Sequence, residues 1–180
     1  MLRITAGKFK GRPIKTVANF KTRYTTSLVR KAIFDMVNVD GKVFADVFAG
    51  SGIMGFEALS RGARKVIFLD VSERSIRTIR YNALELGVEE SCIIVRGDFR
   101  RKLPMMEEVD VLFADPPFEH NMVWEILKIL DANEIFRDCA VIEVSKHEKY
   151  DLTLNNLLIE KRGYGDIEIL ICRKSSFHTI

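Results

Sequence analysis

Among 180 residues there are only three cysteines, three histidines, one tryptophan and four prolines, and these scarcities exclude several protein classes. Cys92, Cys139 and Cys172 lack the CxxC spacing of a zinc site or redox pair, and His120, His147 and His178 are equally scattered, so no metal centre is expected. Cys92 and Cys172 lie inside apolar runs and read as buried, reduced thiols. No stretch approaches the roughly 20 unbroken apolar residues of a membrane helix. Met1 to Lys8 contain neither an apolar signal core nor a small-residue cleavage site, which points to the cytoplasm rather than to export. Internal repeats and low-complexity linkers are also missing. With 47% apolar and 29% charged residues, the chain is long enough for one core that needs no disulfide or structural metal.

What the chain does have is unevenly placed charge. Residues 1 to 34 hold nine of the 28 cationic residues, Arg3, Lys8, Lys10, Arg12, Lys15, Lys21, Arg23, Arg30 and Lys31, and none of the 25 acids. Ile4, Phe9, Ile14, Val17, Phe20 and Tyr24 are interleaved with them, unlike the composition of a disordered tail. An ordered basic surface results, of the kind that meets phosphate backbones. Leu2 to Ala6 and Pro13 to Val17 are β-like runs flanking Gly7-Lys8-Phe9-Lys10-Gly11, so residues 1 to 25 read as a hairpin-like arm with a basic turn. Lys8, Lys10, Arg12, Arg23 and Tyr24 are its candidate nucleic-acid contacts; Tyr24 can stack on a base or serve packing alone.

Residues 26 to 180 read as the main domain. Thr26 or Ser27 can cap a helix carrying Leu28, Val29, Ala32, Ile33, Met36 and Val37 at helical spacing and ending near Asn38 to Gly41. Strand-like and helical patterns then alternate: Val43 to Phe48, Ile53 to Arg61, Val66 to Asp70, and Ser72 to Leu86, with Ser72 as N-cap and Gly87 as stop. Cys92 to Arg96 and Val109 to Ala114 are further strands, Trp124 to Leu130 is helical, and Ala140 to Val144 is extended. Leu157 to Arg162 and Ile167 to Arg173 around Gly163 to Asp166 form a terminal antiparallel hairpin. Such alternation predicts an α/β, doubly wound, mainly parallel seven-stranded sheet. Ligands of such sheets bind beyond the carboxyl ends of the strands.

Gly50-Ser51-Gly52-Ile53-Met54-Gly55 matches GxGxxG between a strand and a helix, and Asp70 follows Gly50 by twenty residues. The glycines permit close backbone approach, and Asp70 can accept ribose hydroxyls, roles that serve any adenosine-containing cofactor. Charge separates the options. Asp46, four residues before Gly50, would repel a pyrophosphate but suits the ammonium and sulfonium of S-adenosyl-L-methionine. Asp98 can accept from an adenine amino group, with Phe99 as a stacking neighbour; its bland alternative is a turn residue.

Asp115-Pro116-Pro117-Phe118 closes the run Val109 to Ala114. Two prolines fix φ and remove two backbone donors, leaving a rigid turn with carbonyls free to accept from an amine. Asp115 can accept a second hydrogen bond from that amine, and Phe118 can stack on a base. The four residues can thus orient a weakly nucleophilic arylamine toward a methyl carbon by proximity and alignment, without metal or enzyme nucleophile. A rigid strand exit without chemistry is the alternative.

Ala6 to Arg12, Asp46 to Gly52, Glu57 to Ala63 and Asp115 to Phe118 together give the chain its family likeness. It resembles the RsmD-type ribosomal RNA guanine-N2 methyltransferases, and more broadly the seven-stranded methyltransferases bearing Asp/Asn-Pro-Pro-Phe/Tyr. The resemblance implies methyl transfer from S-adenosyl-L-methionine to the N2 of a guanosine in small-subunit ribosomal RNA, free or in an assembling subunit. The cofactor residues would be Asp46, Phe48, Gly50, Gly52, Asp70, Val71, Asp98 and Phe99, and the catalytic ones Asp115, Pro116, Pro117 and Phe118. Arg23-Tyr24-Thr25 and Val29-Arg30-Lys31-Ala32 depart from the expected Arg-Pro-Thr and Val-Arg-Glu-Ala, which bears on RNA positioning more than on methyl transfer. Three rivals remain: an adenine-N6 DNA methyltransferase, a protein amide methyltransferase and a non-catalytic RNA-binding module. The first usually needs a target-recognition domain, for which this chain leaves little room. The basic arm is less expected of the second, and intact Gly50, Gly52, Asp70 and Asp115 argue against the third.

Overall fold

A computed structural model describes residues 2–17, 25–107, 109–117, 122–148, 150 and 153–175. An antiparallel pair, β1 (Leu2–Arg3) and β2 (Pro13–Ile14), precedes helix α1 (Ser27–Met36). Strands and helices then alternate as β3 (Val43–Val47), α2 (Ile53–Ser60), β4 (Lys65–Asp70), α3 (Glu73–Leu86), β5 (Cys92–Arg96), α4 (Phe99–Lys102), β6 (Val109–Ala114), α5 (Met122–Ala132) and β7 (Phe136–Ser145). The hairpin β8 (Leu157–Tyr164) and β9 (Ile167–Lys174) completes one sheet in the order β5-β4-β3-β6-β7-β9-β8. β9 runs antiparallel to both its neighbours, β7 and β8, and the other six strands of this sheet share one direction.

Residue alternation along the strands sorts the helices onto two faces. Phe44, Val66, Phe68, Val111 and Phe113 point to one side, where they pack with Val29 and Ile33 of α1, Phe56 of α2 and Ile79 of α3. Ala45, Val47, Leu69, Leu112 and Ala114 point to the other, against Phe99 of α4 and Val123, Ile126 and Leu127 of α5. Ile4 and Ile14 of the arm are 2% and 1% exposed and belong to the first of these cores. The arm is therefore packed onto the sheet domain, face to face with α1, α2 and α3.

Local signals hold at several ends. Thr26 caps α1 by accepting from Val29 N–H, Ser72 caps α3 by accepting from Ser75 N–H, and Gly87 ends α3 at φ +67°. Elsewhere the boundaries differ from the sequence pattern. β7 starts at Phe136 rather than Ala140, because Arg137 and Asp138 project outward to pair with Asp110 and Lys42 while the backbone joins the ladder. Nothing in the periodicity predicts α4, which is only four residues long. Cys139 and Cys172 are buried free thiols, whereas Cys92 is half-buried because β5 is an edge strand. His120 and His178 lie outside the described residues, and His147 is exposed. Among the described residues no helix is long and apolar enough to cross a membrane.

Candidate active site

Strand order reverses between β3 and β6: the chain steps from β3 outward to β4 and β5, then returns to the far side of β3 with β6. Ligand crevices of open α/β sheets form at such a switch point. In register, Val47 pairs with both Leu69 and Ala114. The loop after β3 therefore lies between the exits of β4 and β6, and Asp115 N–H donates to Val47 C=O at 3.4 Å. Across the sheet, β5, β4, β3 and β6 deliver Asp98, Asp70, Asp46 and Asp115 in that spatial order. Three of these acids stand at strand exits and Asp46 lies inside β3, an arrangement that suits a cationic ligand better than a phosphate.

Each acid is held differently. Asp46 is 2% exposed and accepts Gly55 N–H at 2.9 Å. The N-cap of α2 is Gly52, which has no side chain to offer, so Asp46 supplies from β3 the acceptor that the helix end needs. Burial pushes its carboxyl up to about 8, opposed by the Gly55 hydrogen bond and reinforced by the charge of Asp70. Asp70 accepts Gly50 N–H at 2.8 Å on one oxygen and Ser72 N–H at 2.7 Å on the other. Each oxygen keeps a second lone pair for a ligand hydroxyl. Val71 beside it is 66% exposed. Asp98 caps α4 through Arg100 N–H at 2.8 Å and pairs with the Arg100 guanidinium at 3.3 Å.

The glycine loop has the conformations its residues allow. Gly50 and Gly52 have φ of +55° and +80°. Gly55 is needed for a different reason: a Cβ there would come within 2.2 Å of the Phe68 ring, so α2 could not lie this close to β4. Phe48 has φ +62°, the only positive φ at a non-glycine among the described residues, a strain that concentrates at functional turns. Its ring packs on Phe99, centroids 5.1 Å apart, and Phe99 is 4% exposed, with the Arg100 guanidinium 4.6 Å over its face.

In the Asp115 turn Pro116 is buried, Pro117 is exposed, and Asp115 is half-buried at the crevice edge. Phe118, Arg23 and Tyr24 lie outside the described residues. Lys8, Lys10 and Arg12 are exposed on the arm, which meets the C-terminal ends of α2 and α3 through Lys8 N–H to Ser60 C=O and Arg12 to Glu85 C=O, at the sheet edge away from the strand carboxyl ends.

How the arm docks depends on four residues that no spacing rule singled out, Glu57, Arg30, Ser60 and Asn82. Glu57, 0% exposed, accepts Thr5 N–H at 2.8 Å, the Thr5 hydroxyl at 2.6 Å and Ala6 N–H at 3.1 Å, and pairs with Arg61 at 3.0 Å. Arg30 lies 4.0 Å from the same carboxylate and donates to Thr25 C=O and Arg3 C=O. Burial lowers the Arg30 pKa, and Glu57 opposes that shift. Ser60 receives Phe9 N–H and donates to Ala6 C=O. Asn82 accepts Lys15 N–H at 2.9 Å and donates to the carbonyls of Lys15 and Ser51, each at 3.0 Å. These captures explain why the arm's strand pairing is only two residues long on each side: the backbone of Thr5, Ala6 and Lys15 bonds to helix side chains instead. A polar residue at an otherwise apolar, core-facing helix position is the signal that could have revealed Glu57.

Comparison with known proteins agrees with this fold. The family described as conserved hypothetical protein 95 matches residues 2–173. YlbH of Bacillus subtilis is 31% identical over 182 residues, spanning 96% of this chain and 99% of that protein. The ribosomal RNA small subunit methyltransferase D of Haemophilus influenzae is 32% identical over 169 residues, covering 89% and 88% of the two chains. The solved structure of yhhF from Escherichia coli superposes with a TM-score of 0.85 at 22% identity over 97% of this chain and 98% of that one, which supports the fold. The chain belongs to the RsmD-type methyltransferase family, the family described as conserved hypothetical protein 95.

Proposed function

We propose that this protein transfers the methyl group of S-adenosyl-L-methionine to the exocyclic N2 amino group of a guanosine in small-subunit ribosomal RNA, in the cytoplasm. The observation that carries the reading is the row of acids Asp98, Asp70 and Asp115 at strand exits, with buried Asp46 between them and the Asp115 turn beside the glycine loop. That donor set fits a cofactor bearing an ammonium and a sulfonium and disfavours a dinucleotide. When bound, this cofactor supplies an electrophilic methyl group. Gly50 and Gly52 would let backbone approach it, Asp70 would balance its charge and hold its ribose, Asp46 would brace the glycine loop through Gly55 N–H, and Val71 would cover an adenine face. Asp98 and the Phe48–Phe99 pair would close the adenine end.

The chain's own chemical task is to orient the acceptor. Asp115 would accept one hydrogen from the amine, and the carbonyls of the Pro116-Pro117 turn would accept another, with Phe118 against the base plane. Holding both hydrogens in this way favours a pyramidal nitrogen whose lone pair is aimed at the methyl carbon, and alignment of this kind can supply on the order of 7–11 kcal/mol when the geometry is ideal. The proton leaves readily once nitrogen carries the new bond, so no strongly basic residue is required. A guanine so held must leave its stack, and Lys8, Lys10, Arg12, Arg23 and Tyr24 would hold the surrounding strand. Chain likeness to a small subunit methyltransferase D supports ribosomal RNA as acceptor.

The experiment is to offer labelled S-adenosyl-L-methionine with small ribosomal subunits, deproteinised ribosomal RNA, DNA and protein. N2-methylguanosine in the RNA is the expected product. N6-methyladenine in DNA, or label in protein, overturns the reading.

A further inference from the structure

The exposed face of α3 is basic in a way that helix stability does not explain. Arg74, Arg77 and Arg80 all lie in its first eight residues, toward the positive end of the macrodipole, where cations are unfavourable. The acids on the same face are few. Glu73 is shared between Arg77 at 3.7 Å and Arg96 at 3.4 Å, and among the described residues Arg74 and Arg80 have no carboxylate within ion-pair reach. Apolar side chains share this surface: Tyr81 is 45% and Leu84 64% exposed. Arg beside exposed aromatic side chains suits a nucleic-acid strand, whose phosphates and bases each find a partner there.

The arm is pinned to the same face. Asn82 holds both backbone polar groups of Lys15, the Lys15 ammonium lies 4.3 Å over the Tyr81 ring, and Arg12 donates to Glu85 C=O at 2.6 Å. The arm's cations and those of the helix thus adjoin at Tyr81. From Arg74 to Glu85 the helix is about 16 Å long, and its N-terminal end follows directly on Asp70 and Val71.

We propose that Arg74, Arg77, Arg80 and Tyr81 of α3, with Lys15, form a second phosphate-binding track that leads an RNA strand from the arm toward the strand-end crevice. The inference rests on RNA being the methyl acceptor. Neutralising a contact to single-stranded RNA lowers the salt slope of log K by about 0.7. A variant carrying Arg74→Gln, Arg77→Gln and Arg80→Gln should therefore bind ribosomal RNA about tenfold more weakly at low salt, with a slope flatter by about 2. All three side chains are exposed, so its thermal midpoint should stay near that of the wild type.

The control removes three cations from the opposite sheet edge, as Lys161→Gln, Arg162→Gln and Arg173→Gln on β8 and β9. Wild-type slope in the control with a flattened slope in the α3 variant supports the track. Equal flattening in both, or none in the α3 variant, overturns it while leaving methyl transfer to RNA intact. A wild-type protein that methylates DNA or protein and binds no RNA overturns the proposed function as well. Tyr81→Ala should lower affinity without changing the slope, since it removes stacking and no charge; an unchanged affinity would remove Tyr81 from the track.

Discussion

Asp46 reaches from inside β3 to accept the N–H of Gly55, the third residue of a helix whose own N-cap is a glycine. This bond makes the first helical turn after the glycine loop depend on a buried acid. The carboxyl is pushed up to about 8, above its value near 3.8 in the unfolded chain. A raised carboxyl pKa means that the native state binds the extra proton between these two values. The contribution is therefore fully present below pH 4 and is lost as pH rises through 8, with a slope of up to about 1.4 kcal/mol per pH unit. Asp46→Asn retains an acceptor for Gly55 and cannot ionise. Denaturant unfolding at several pH values should show that component in the wild type and not in the variant; parallel curves would contradict it.

Glu57 should be the costliest residue of the arm's docking. Its carboxylate faces Arg30 and Arg61 and takes three further hydrogen bonds while fully buried. Glu57→Ala leaves Arg30, 2% exposed, without its counter-charge and orphans two backbone donors. Removing one partner of a buried pair costs about 3–5 kcal/mol. The midpoint of denaturant unfolding should fall accordingly, and hydrogen exchange should quicken first at Thr5 and Ala6.

Gly7 and Gly11 offer a matched comparison. Both have positive φ, +77° and +83°, but a Cβ at Gly7 would come within 1.8 Å of the Ser60 carbonyl oxygen, whereas Gly11 faces open space. Gly11→Ala should cost only the backbone term, about 1 kcal/mol. Gly7→Ala adds a clash with main chain and should lift the arm off α2. Limited proteolysis within residues 5–15 should therefore be faster for Gly7→Ala than for Gly11→Ala.

Asp115→Ala should abolish methyl transfer, by at least about 100-fold in kcat, while titration calorimetry finds cofactor affinity little changed. The Asp115 backbone, which bonds to Val47 C=O, is untouched by the substitution. Near-wild-type turnover would remove Asp115 from the orienting role.

The sheet was legible because seven apolar runs alternate with helical stripes, and the crevice followed from where Asp46, Gly50, Asp70 and Asp115 fall on the strand ends. Ser72 and Gly87 marked α3 because capping is local chemistry. Glu57 and Asn82 could not be read so easily. Their partners are 52 and 67 residues away, and no helical or strand period encodes a side chain that captures the backbone of a distant segment. For the same reason the two runs of the arm suggested a longer hairpin than the one that forms.

The arm's cations should divide by what they already touch. Lys8 and Lys10 are exposed at the turn, and among the described residues neither meets a carboxylate. If they hold phosphates, Lys8→Gln with Lys10→Gln should weaken RNA binding and flatten the salt slope by about 1.4 in log K against log salt, near 0.7 for each contact. Arg12 differs, because its guanidinium is spent partly on Glu85 C=O. Arg12→Gln should release that end of the arm from α3, so affinity falls through lost ordering as well as lost charge. Its loss in affinity should exceed what its slope change accounts for, and exchange at Lys15 N–H, held by Asn82, should quicken. Salt titrations of the two variants, paired with hydrogen exchange, separate the contributions. Identical ratios of affinity loss to slope change would mean that Arg12 acts as charge alone and that its contact with α3 is incidental.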